Sequence, residues 1–206
     1  MDLILWRHAD AAEGGRDLDR KLTAKGHKQA ARVAEWLIAR LPSKYVVLAS
    51  PARRARETAD ALGVRYRISE RLAPGAAPSD ILEAAGWPSH KGALVVVGHQ
   101  PDLGRVAAVL LAGAEAEWSV KKGGLWWLTH RERDTKAQVV VRAVLAPDLL
   151  YRGPAAPQVR NWATFFSDRL WTEKRRSTAS QRRLSVSRAA AASGFSSIQA
   201  CGRSML

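Results

Sequence analysis

The chain has 206 residues, 47% of them apolar and 25% charged, which is the size of one ordinary domain and a globular rather than a disordered composition. The formal net charge is +14, but residues 151–206 hold ten Lys and Arg against two acidic residues, so residues 1–150 carry about +6. A basic balance invites nucleic acid, anionic membranes or phosphorylated partners without choosing among them. The single cysteine, Cys201, excludes an intrachain disulfide framework and a cysteine zinc site.

The first apolar run, residues 3–6, stops at Arg7 and has no basic segment before it. This run is too short for a signal peptide or a membrane span. It is typical of a first β-strand, and together with the lone cysteine it leads us to expect a cytoplasmic protein without a membrane span.

Strands and helices are predicted to alternate through the first 150 residues. Further β-rich runs lie at residues 45–49, 94–97, 125–129 and 139–145, with a weaker one at 64–68. Helical patterns occupy residues 23–41, 52–62, 78–85 and 103–111.

This order of elements predicts an α/β fold, a three-layer α/β/α sandwich with a mostly parallel central sheet. The last two strands should form an antiparallel hairpin at one edge of that sheet. Residues 94–97 are apolar without alternation, which is typical of a strand covered on both faces, and we expect them at the centre.

The pattern changes after Pro147. Residues 152–157 are rich in Gly and Pro, and the remainder is a basic stretch rich in Ser, Arg and Ala without sustained periodicity. We therefore expect one domain over residues 1–150 and a largely disordered tail over 151–206. A short docking helix with Trp162, Phe165 and Phe166 on one face is one interpretation of the tail, and a tail without a selected function is the other.

Two histidines each follow a predicted strand. His8 comes directly after Arg7 at the end of the first strand, and His99 follows the run Val95-Val96-Val97-Gly98. The carboxyl ends of parallel strands meet at one edge of a sheet, where α/β proteins bind ligands. Between them in the sequence, the arginine-rich segment 50–58 opens a helix, and its amides and guanidinium groups favour an anion.

Together these segments resemble the histidine phosphatase superfamily, which is phosphoglycerate mutase-like, and within it the compact SixA-type phosphohistidine phosphatases. The resemblance spans about residues 1–148. It rests on Leu5-Trp6-Arg7-His8-Ala9-Asp10-Ala11, on Arg20-Lys21-Leu22-Thr23-Ala24-Lys25-Gly26 leading into Gln29-Ala30, on Ser50-Pro51 with Arg54-Ala55 and Glu57-Thr58, and on Gly98-His99-Gln100-Pro101.

The resemblance implies a role for each matching residue. His8 is similar to the nucleophile, Arg7 and Arg54 to the phosphate clamps, and His99 to the second histidine of the pocket. Arg20 resembles a further phosphate contact of the SixA branch. The spacing from Ser50-Pro51 favours Arg54 over Arg53, which is kept as the nearest alternative.

The physical chemistry agrees with these roles. Neighbouring guanidinium groups disfavour the imidazolium form, so the arginines should keep His8 neutral and nucleophilic. Planar arginines can also compensate the charge on the equatorial phosphoryl oxygens, so we expect no metal and no cofactor. The expected reaction has two steps, phosphorylation of His8 and hydrolysis of the phosphohistidine by water.

Two departures from the family pattern bear on the substrate. Ala9 stands where the larger family usually has glycine, which we interpret as a marker of the branch. The mutase-type acidic segment that would protonate an alkoxide is not recognisable between Glu70 and Asp80. Glu57, Glu70 and Asp80 remain alternative proton donors, but their sequence contexts are more typical of surface carboxylates.

A phosphorylated imidazole leaves more readily than an alcohol when no proton donor is present. This favours protein phosphohistidine as substrate, with a histidine phosphotransfer domain as the expected partner. A phosphomonoesterase acting on a small phosphoester metabolite is the alternative.

An alternative to an enzyme is a non-catalytic module that binds anions or nucleic acid through the basic residues. No recognition motif supports it, and nucleic acid is an unlikely partner. We interpret His27, His90 and His130 as surface groups. Residues 121–124 are a predicted turn whose glycine amides could approach the phosphate.

Overall fold

The structure is a computed structural model and describes residues 1–133 and 136–150. The predicted tail, residues 151–206, lies outside the described residues. Within the described part of the chain, no helix combines the length and the apolar character that crossing a bilayer requires.

One mixed sheet forms the middle layer of the part of the chain that the structure describes. Its strands are β1 (Asp2–Arg7), β2 (Tyr45–Ala49), β3 (Arg67–Ile68), β4 (Ala93–Gly98), β5 (Leu125–Arg133) and β6 (Lys136–Leu145). Their order across the sheet is β3-β2-β4-β1-β5-β6. The first four in that order run parallel, and β1 pairs antiparallel with β5, which pairs antiparallel with β6. The predicted parallel sheet with an antiparallel edge hairpin is confirmed.

Helices cover both faces of the sheet, as the predicted three layers require. The helices are α1 (Ala24–Ile38), α2 (Arg53–Asp60), α3 (Pro78–Ala84) and α4 (Asp102–Ala112). Apolar side chains of α1 and α2 pack with Ile4 and Val95 in one core cluster, and those of α3 and α4 pack with Leu3 and Leu5 in another. Strands β1, β2, β4 and β5 therefore send alternate side chains into two separate cores.

The central strand was identified correctly. All six residues of β4 are buried, and the strand lies between β2 and β1. This double burial explains its run of apolar residues without alternation.

Several predicted elements, including helix α2, are shorter than their patterns, and the contacts explain two of these differences. The weak strand at residues 64–68 reduces to Arg67–Ile68, because Val64 and Tyr66 pack against the core instead of extending the ladder. Helix α1 begins after Thr23, whose hydroxyl accepts the N–H of Gly26 at 3.0 Å, and it ends at Ile38 rather than continuing to residue 41.

The parallel strands bring three chain segments to one edge. In the sheet, Arg7 lies opposite Gly98 on one side, and Ala49 lies opposite Val97 on the other side of β4. The residues that follow these strand ends are therefore neighbours in space although they are far apart in the sequence.

Candidate active site

Two buried imidazole rings meet at this edge. The ring centroids of His8 and His99 are 5.2 Å apart with an interplanar angle of 53°, and the residues are 8% and 3% exposed. The predicted convergence of the two histidines is therefore present in the structure.

The hydrogen bonds of His8 determine which nitrogen can act as a nucleophile. Its Nδ1 lies 2.8 Å from the carbonyl oxygen of Ala9, which can only accept, so Nδ1 carries the proton. Nε2 is then the nitrogen with the free lone pair, and it accepts a hydrogen bond from Nε of Arg54 at 3.3 Å. The nucleophilic atom therefore already faces a cationic group.

Both rings are held in the neutral form. The pKa of His8 is lowered to about 4, chiefly by burial; the hydrogen bond to the Ala9 carbonyl opposes this shift, and the charges of Arg54, Arg7 and Arg20 add to it. The pKa of His99 is lowered to about 3, again chiefly by burial, with smaller contributions from His8 and Arg54. The arginines thus contribute as predicted, but burial is the larger cause, which the sequence did not reveal.

These low pKa values predict a loss of stability in acid. Between pH about 6.5 and about 4 the unfolded chain binds a proton at His8 that the folded chain excludes, so the free energy of unfolding falls as the pH falls through this window. From pH about 7 to about 5 the contribution of His8 is about 2 kcal/mol. Denaturant unfolding of the wild type and His8→Gln at both pH values should show the smaller pH dependence in the variant. If the free energy of unfolding changed equally with pH in both proteins, His8 would not be a buried neutral ring.

Ser50 sets the proton position on His99. The Oγ of Ser50 lies 2.7 Å from Nε2 of His99 and accepts the N–H of Ala52 at 3.2 Å. Since the hydroxyl hydrogen has no other acceptor among the described residues, it is donated to Nε2, which leaves the ring proton on Nδ1. That buried Nδ1 has no partner in the described structure, so His99 offers an unused donor beside His8.

Removing the Ser50 hydroxyl should therefore affect catalysis through His99. We expect Ser50→Ala to lower kcat by about tenfold with little change in KM, because a misplaced transition-state donor costs rate rather than ground-state binding. Ser50→Thr keeps the hydroxyl and should restore most of the rate. An unchanged kcat in a folded Ser50→Ala variant would contradict this role.

The structure places Arg54, rather than the alternative Arg53, beside His8. Arg54 is 4% exposed, and besides its contact to His8 it donates from Nη2 to the Asp17 carboxylate at 2.9 Å and from Nη1 to the Asp17 backbone carbonyl. Arg53 is exposed and donates to Glu57 at 2.7 Å. Sequence reasoning missed Asp17, which accepts hydrogen bonds from two nitrogens of this guanidinium group.

The other two predicted clamps lie around the same centre. Arg7 donates from Nη1 to the Val120 carbonyl at 2.7 Å, and its buried Nε has no partner among the described residues. Arg20 donates from Nε to the Ala12 carbonyl at 2.7 Å and from Nη1 to Asp17 at 3.2 Å. Both contribute to the lowered pKa of His8.

The turn at residues 121–124 supports His8 through the backbone. The Gly123 amide donates to the His8 carbonyl at 3.0 Å, and the Gly124 amide donates to the Lys121 carbonyl at 2.8 Å. Both amides are therefore engaged, and the expectation that they could approach a phosphate is wrong. Thr58, which the sequence analysis assigned no role, accepts the Ala9 amide at 3.1 Å.

None of the carboxylates in contact with these residues is suited to donate a proton. Hydrogen bonding from Arg54 lowers the pKa of Asp17 despite partial burial. Burial alone would raise the pKa of Glu57, but the Leu22 amide and Arg53 outweigh it and the pKa is lowered. Glu70 and Asp80 are exposed.

A buried carboxylate that sequence reasoning missed, Asp102, is directed elsewhere. Burial raises its pKa, and it accepts the Gly75 amide at 2.9 Å. Its contact is therefore with the loop before α3 rather than with a residue of the site.

Comparison with known families and sequences gives concordant matches. The family model for the histidine phosphatase superfamily (branch 1) matches residues 3–74. An uncharacterized protein of Mycobacterium tuberculosis is 38% identical over 117 residues, 53% of this chain and 73% of that protein. An uncharacterized protein of Picosynechococcus is 35% identical over 136 residues, 61% of this chain and 82% of that protein.

Solved structures share the fold. The protein histidine phosphatase SixA complexed with tungstate has a TM-score of 0.63 and 22% identity, covering 73% of this chain and all of that one. A putative phosphohistidine phosphatase SixA from Nakamurella multipartitia has a TM-score of 0.58 and 28% identity, covering 71% and 95%. A putative α-ribazole-5′-P phosphatase from Escherichia coli has a TM-score of 0.55 and 19% identity, covering 71% and 98%.

Proposed function

Because this chain belongs to the histidine phosphatase superfamily, we propose that it is a metal-independent phosphatase that works through a phosphohistidine on His8. We propose further that its preferred substrate is a protein phosphohistidine, such as that of a histidine phosphotransfer domain. The observation that carries the proposal is a neutral, buried His8 whose free Nε2 lies 3.3 Å from Nε of Arg54 and whose ring is 5.2 Å from that of His99.

The first step is an in-line displacement at phosphorus. His8 Nε2 forms a P–N bond as the P–N bond of the substrate histidine breaks, and the released imidazole takes up a proton from solvent. Before attack, the Arg54 Nε–H that caps the His8 lone pair transfers its hydrogen bond to a phosphoryl oxygen. Fixed donors aimed at these oxygens stabilise the transition state without reorganising.

The second step returns the enzyme to its starting state. Water attacks phosphorus, the P–N bond to His8 breaks, and inorganic phosphate leaves while Nε2 regains its lone pair. Nδ1 of His99 and Nε of Arg7 are buried without a hydrogen-bond partner among the described residues, and we propose that both donate to phosphoryl oxygens in the two steps. Asp17 competes with the phosphoryl group for Arg54 and Arg20, which favours release of phosphate after hydrolysis.

The acid–base properties of the site support the choice of leaving group. The carboxylates that touch the arginines, Asp17 and Glu57, have lowered pKa values and are ionised at neutral pH. An alkoxide leaving group would need a proton from such a residue, whereas an imidazole can take its proton from solvent at the second ring nitrogen and so needs no carboxylic acid of the enzyme. The likeness to the putative phosphohistidine phosphatase SixA from Nakamurella multipartitia, at 28% identity, supports the same choice.

A phosphomonoesterase acting on a small metabolite is the second candidate. It is favoured by the likeness in fold to the putative α-ribazole-5′-P phosphatase, although at 19% identity that likeness concerns architecture alone. The two candidates differ in whether the rate depends on the leaving group being an imidazole or an alcohol.

The test compares leaving groups on one scaffold. The full chain is given two peptides of the same sequence, one phosphorylated on histidine and one on serine at the same position, and released phosphate is measured for each. We expect kcat/KM for the phosphohistidine peptide to be higher by about 10²-fold or more, the range that a proton donor otherwise contributes. Equal rates, or a preference for phosphoserine, would overturn the assignment of substrate. Arg53→Ala provides a variant control with an intact site.

A further inference from the structure

A concave region with a volume of about 720 Å³ lies beside the segment that follows β1. We call it the basic cavity. One wall is the amino-terminal part of α1, and the other is the turn before β5. Its charged lining consists of Lys25, Lys28, Arg32, Lys121, Lys122, Asp10 and Asp148. Five cations against two carboxylates make this region suited to an anionic ligand.

The two carboxylates leave part of this positive charge uncompensated. Asp10 accepts from Lys122 at 2.8 Å, and Asp148 lies 3.5 Å from Lys121. Lys25 and Lys28 form no ion pair within the described part of the chain, and both are exposed. Because they are three residues apart on a helix, they project from the same face.

The basic cavity is continuous with the residues that hold His8. Asp10, which lines the cavity, is two residues from His8, so their Cα atoms are at most about 7.6 Å apart. On the other wall, Gly123 follows Lys122 and donates its amide to the His8 carbonyl. Residues that flank a phosphohistidine bound at His8 would therefore lie next to this cavity.

We propose that the basic cavity docks a carboxylate-rich segment of the phosphorylated protein, next to its phosphohistidine. This inference rests on the proposed function and names a second feature of the same substrate. Exposed lysines are hydrated point charges on flexible stems, which suit carboxylates in varied orientations. A second phosphoryl group bound in one fixed orientation would instead favour arginine forks, as at Arg54. Complementary charge of this kind raises the rate of encounter and selects among partners.

The experiment uses two phosphohistidine peptides that differ only in flanking charge. One carries glutamates around the phosphohistidine, and the other carries glutamines at the same positions. The readout is the ratio of their kcat/KM values within one enzyme variant, so that a general change in activity cancels. We expect the wild type to prefer the glutamate peptide by about tenfold at low salt and less at high salt.

Two double variants with the same change in net charge distinguish the effect of the basic cavity on peptide preference from the effect of the protein's overall charge. Lys25→Glu with Lys28→Glu should reduce the ratio to about one or below. Lys44→Glu with Lys91→Glu changes the net charge equally at exposed residues preceding β2 and β4, the opposite end of the sheet from His8, and should keep the wild-type ratio.

Two other results would overturn the docking proposal alone, and a third would also overturn the proposed substrate. A wild-type ratio near one, with both peptides hydrolysed, would overturn the docking proposal and leave the proposed function intact. An equal loss of preference in both double variants would attribute the effect to net charge and also overturn the docking proposal. Hydrolysis of an aryl phosphate with neither phosphohistidine peptide used would overturn the proposed substrate along with it.

Discussion

Replacing His8 by alanine is expected to reduce kcat by about 10⁴-fold or more, because the variant lacks the nitrogen that forms the P–N bond. The cleanest measurement is a trapping experiment with a substrate that carries labelled phosphate. Rapid quenching in base should leave label on the wild-type chain, and acid should release it, as a phosphoramidate bond requires. His8→Ala should carry no label under the same conditions.

The control is a histidine outside the site. His27 is exposed at the start of α1, and His27→Ala should keep both the rate and the trapped label. Label that persists in His8→Ala, or a variant that turns over at the wild-type rate, would contradict a phosphohistidine on His8. Label found on His99 instead would reverse the assignment of the two rings.

The fold could be predicted from the sequence because its strongest signals are local. Residues 94–97 are apolar on both faces, and that pattern is enough to predict the central position of β4. Residues 64–68 failed as a strand because their apolar side chains, Val64 and Tyr66, are used in packing. Tertiary contacts decide whether such a residue extends a β-sheet or packs in the core from a loop, and strand propensity carries no information about those contacts.

Some residues of the site could likewise be predicted from local sequence signals, and others could not. His8 and His99 were identified because each directly follows a strand, and the parallel pairing of β1 with β4 brings such ends together. Asp17 gave no comparable signal, since it opens a short exposed 3-10 helix, Asp17–Asp19, and its contact with Arg54 depends on how the segment that carries this helix folds back. The tautomer of His99 likewise depends on a hydroxyl 49 positions away in the chain.

Arg54 provides the second large effect, and its neighbour Arg53 provides the comparison. We expect Arg54→Ala to lower kcat/KM by about 10³-fold, because the variant loses the charge that lies nearest the His8 lone pair and that would compensate the phosphoryl oxygens. Arg54→Lys keeps the charge without the planar fork and should recover only part of the rate. Initial rates on a phosphohistidine peptide and on an aryl phosphate measure both effects.

Arg53→Ala removes the same side chain one position earlier in α2. Since Arg53 is half exposed and bonded to Glu57, its loss should change kcat/KM by less than about twofold and the free energy of unfolding by about 1 kcal/mol at most. Equal losses in the two alanine variants would mean that the helix start acts through its overall charge. A larger loss in Arg53→Ala would reverse the assignment, because the guanidinium group that contacts His8 would then not be the one that supports phosphoryl transfer.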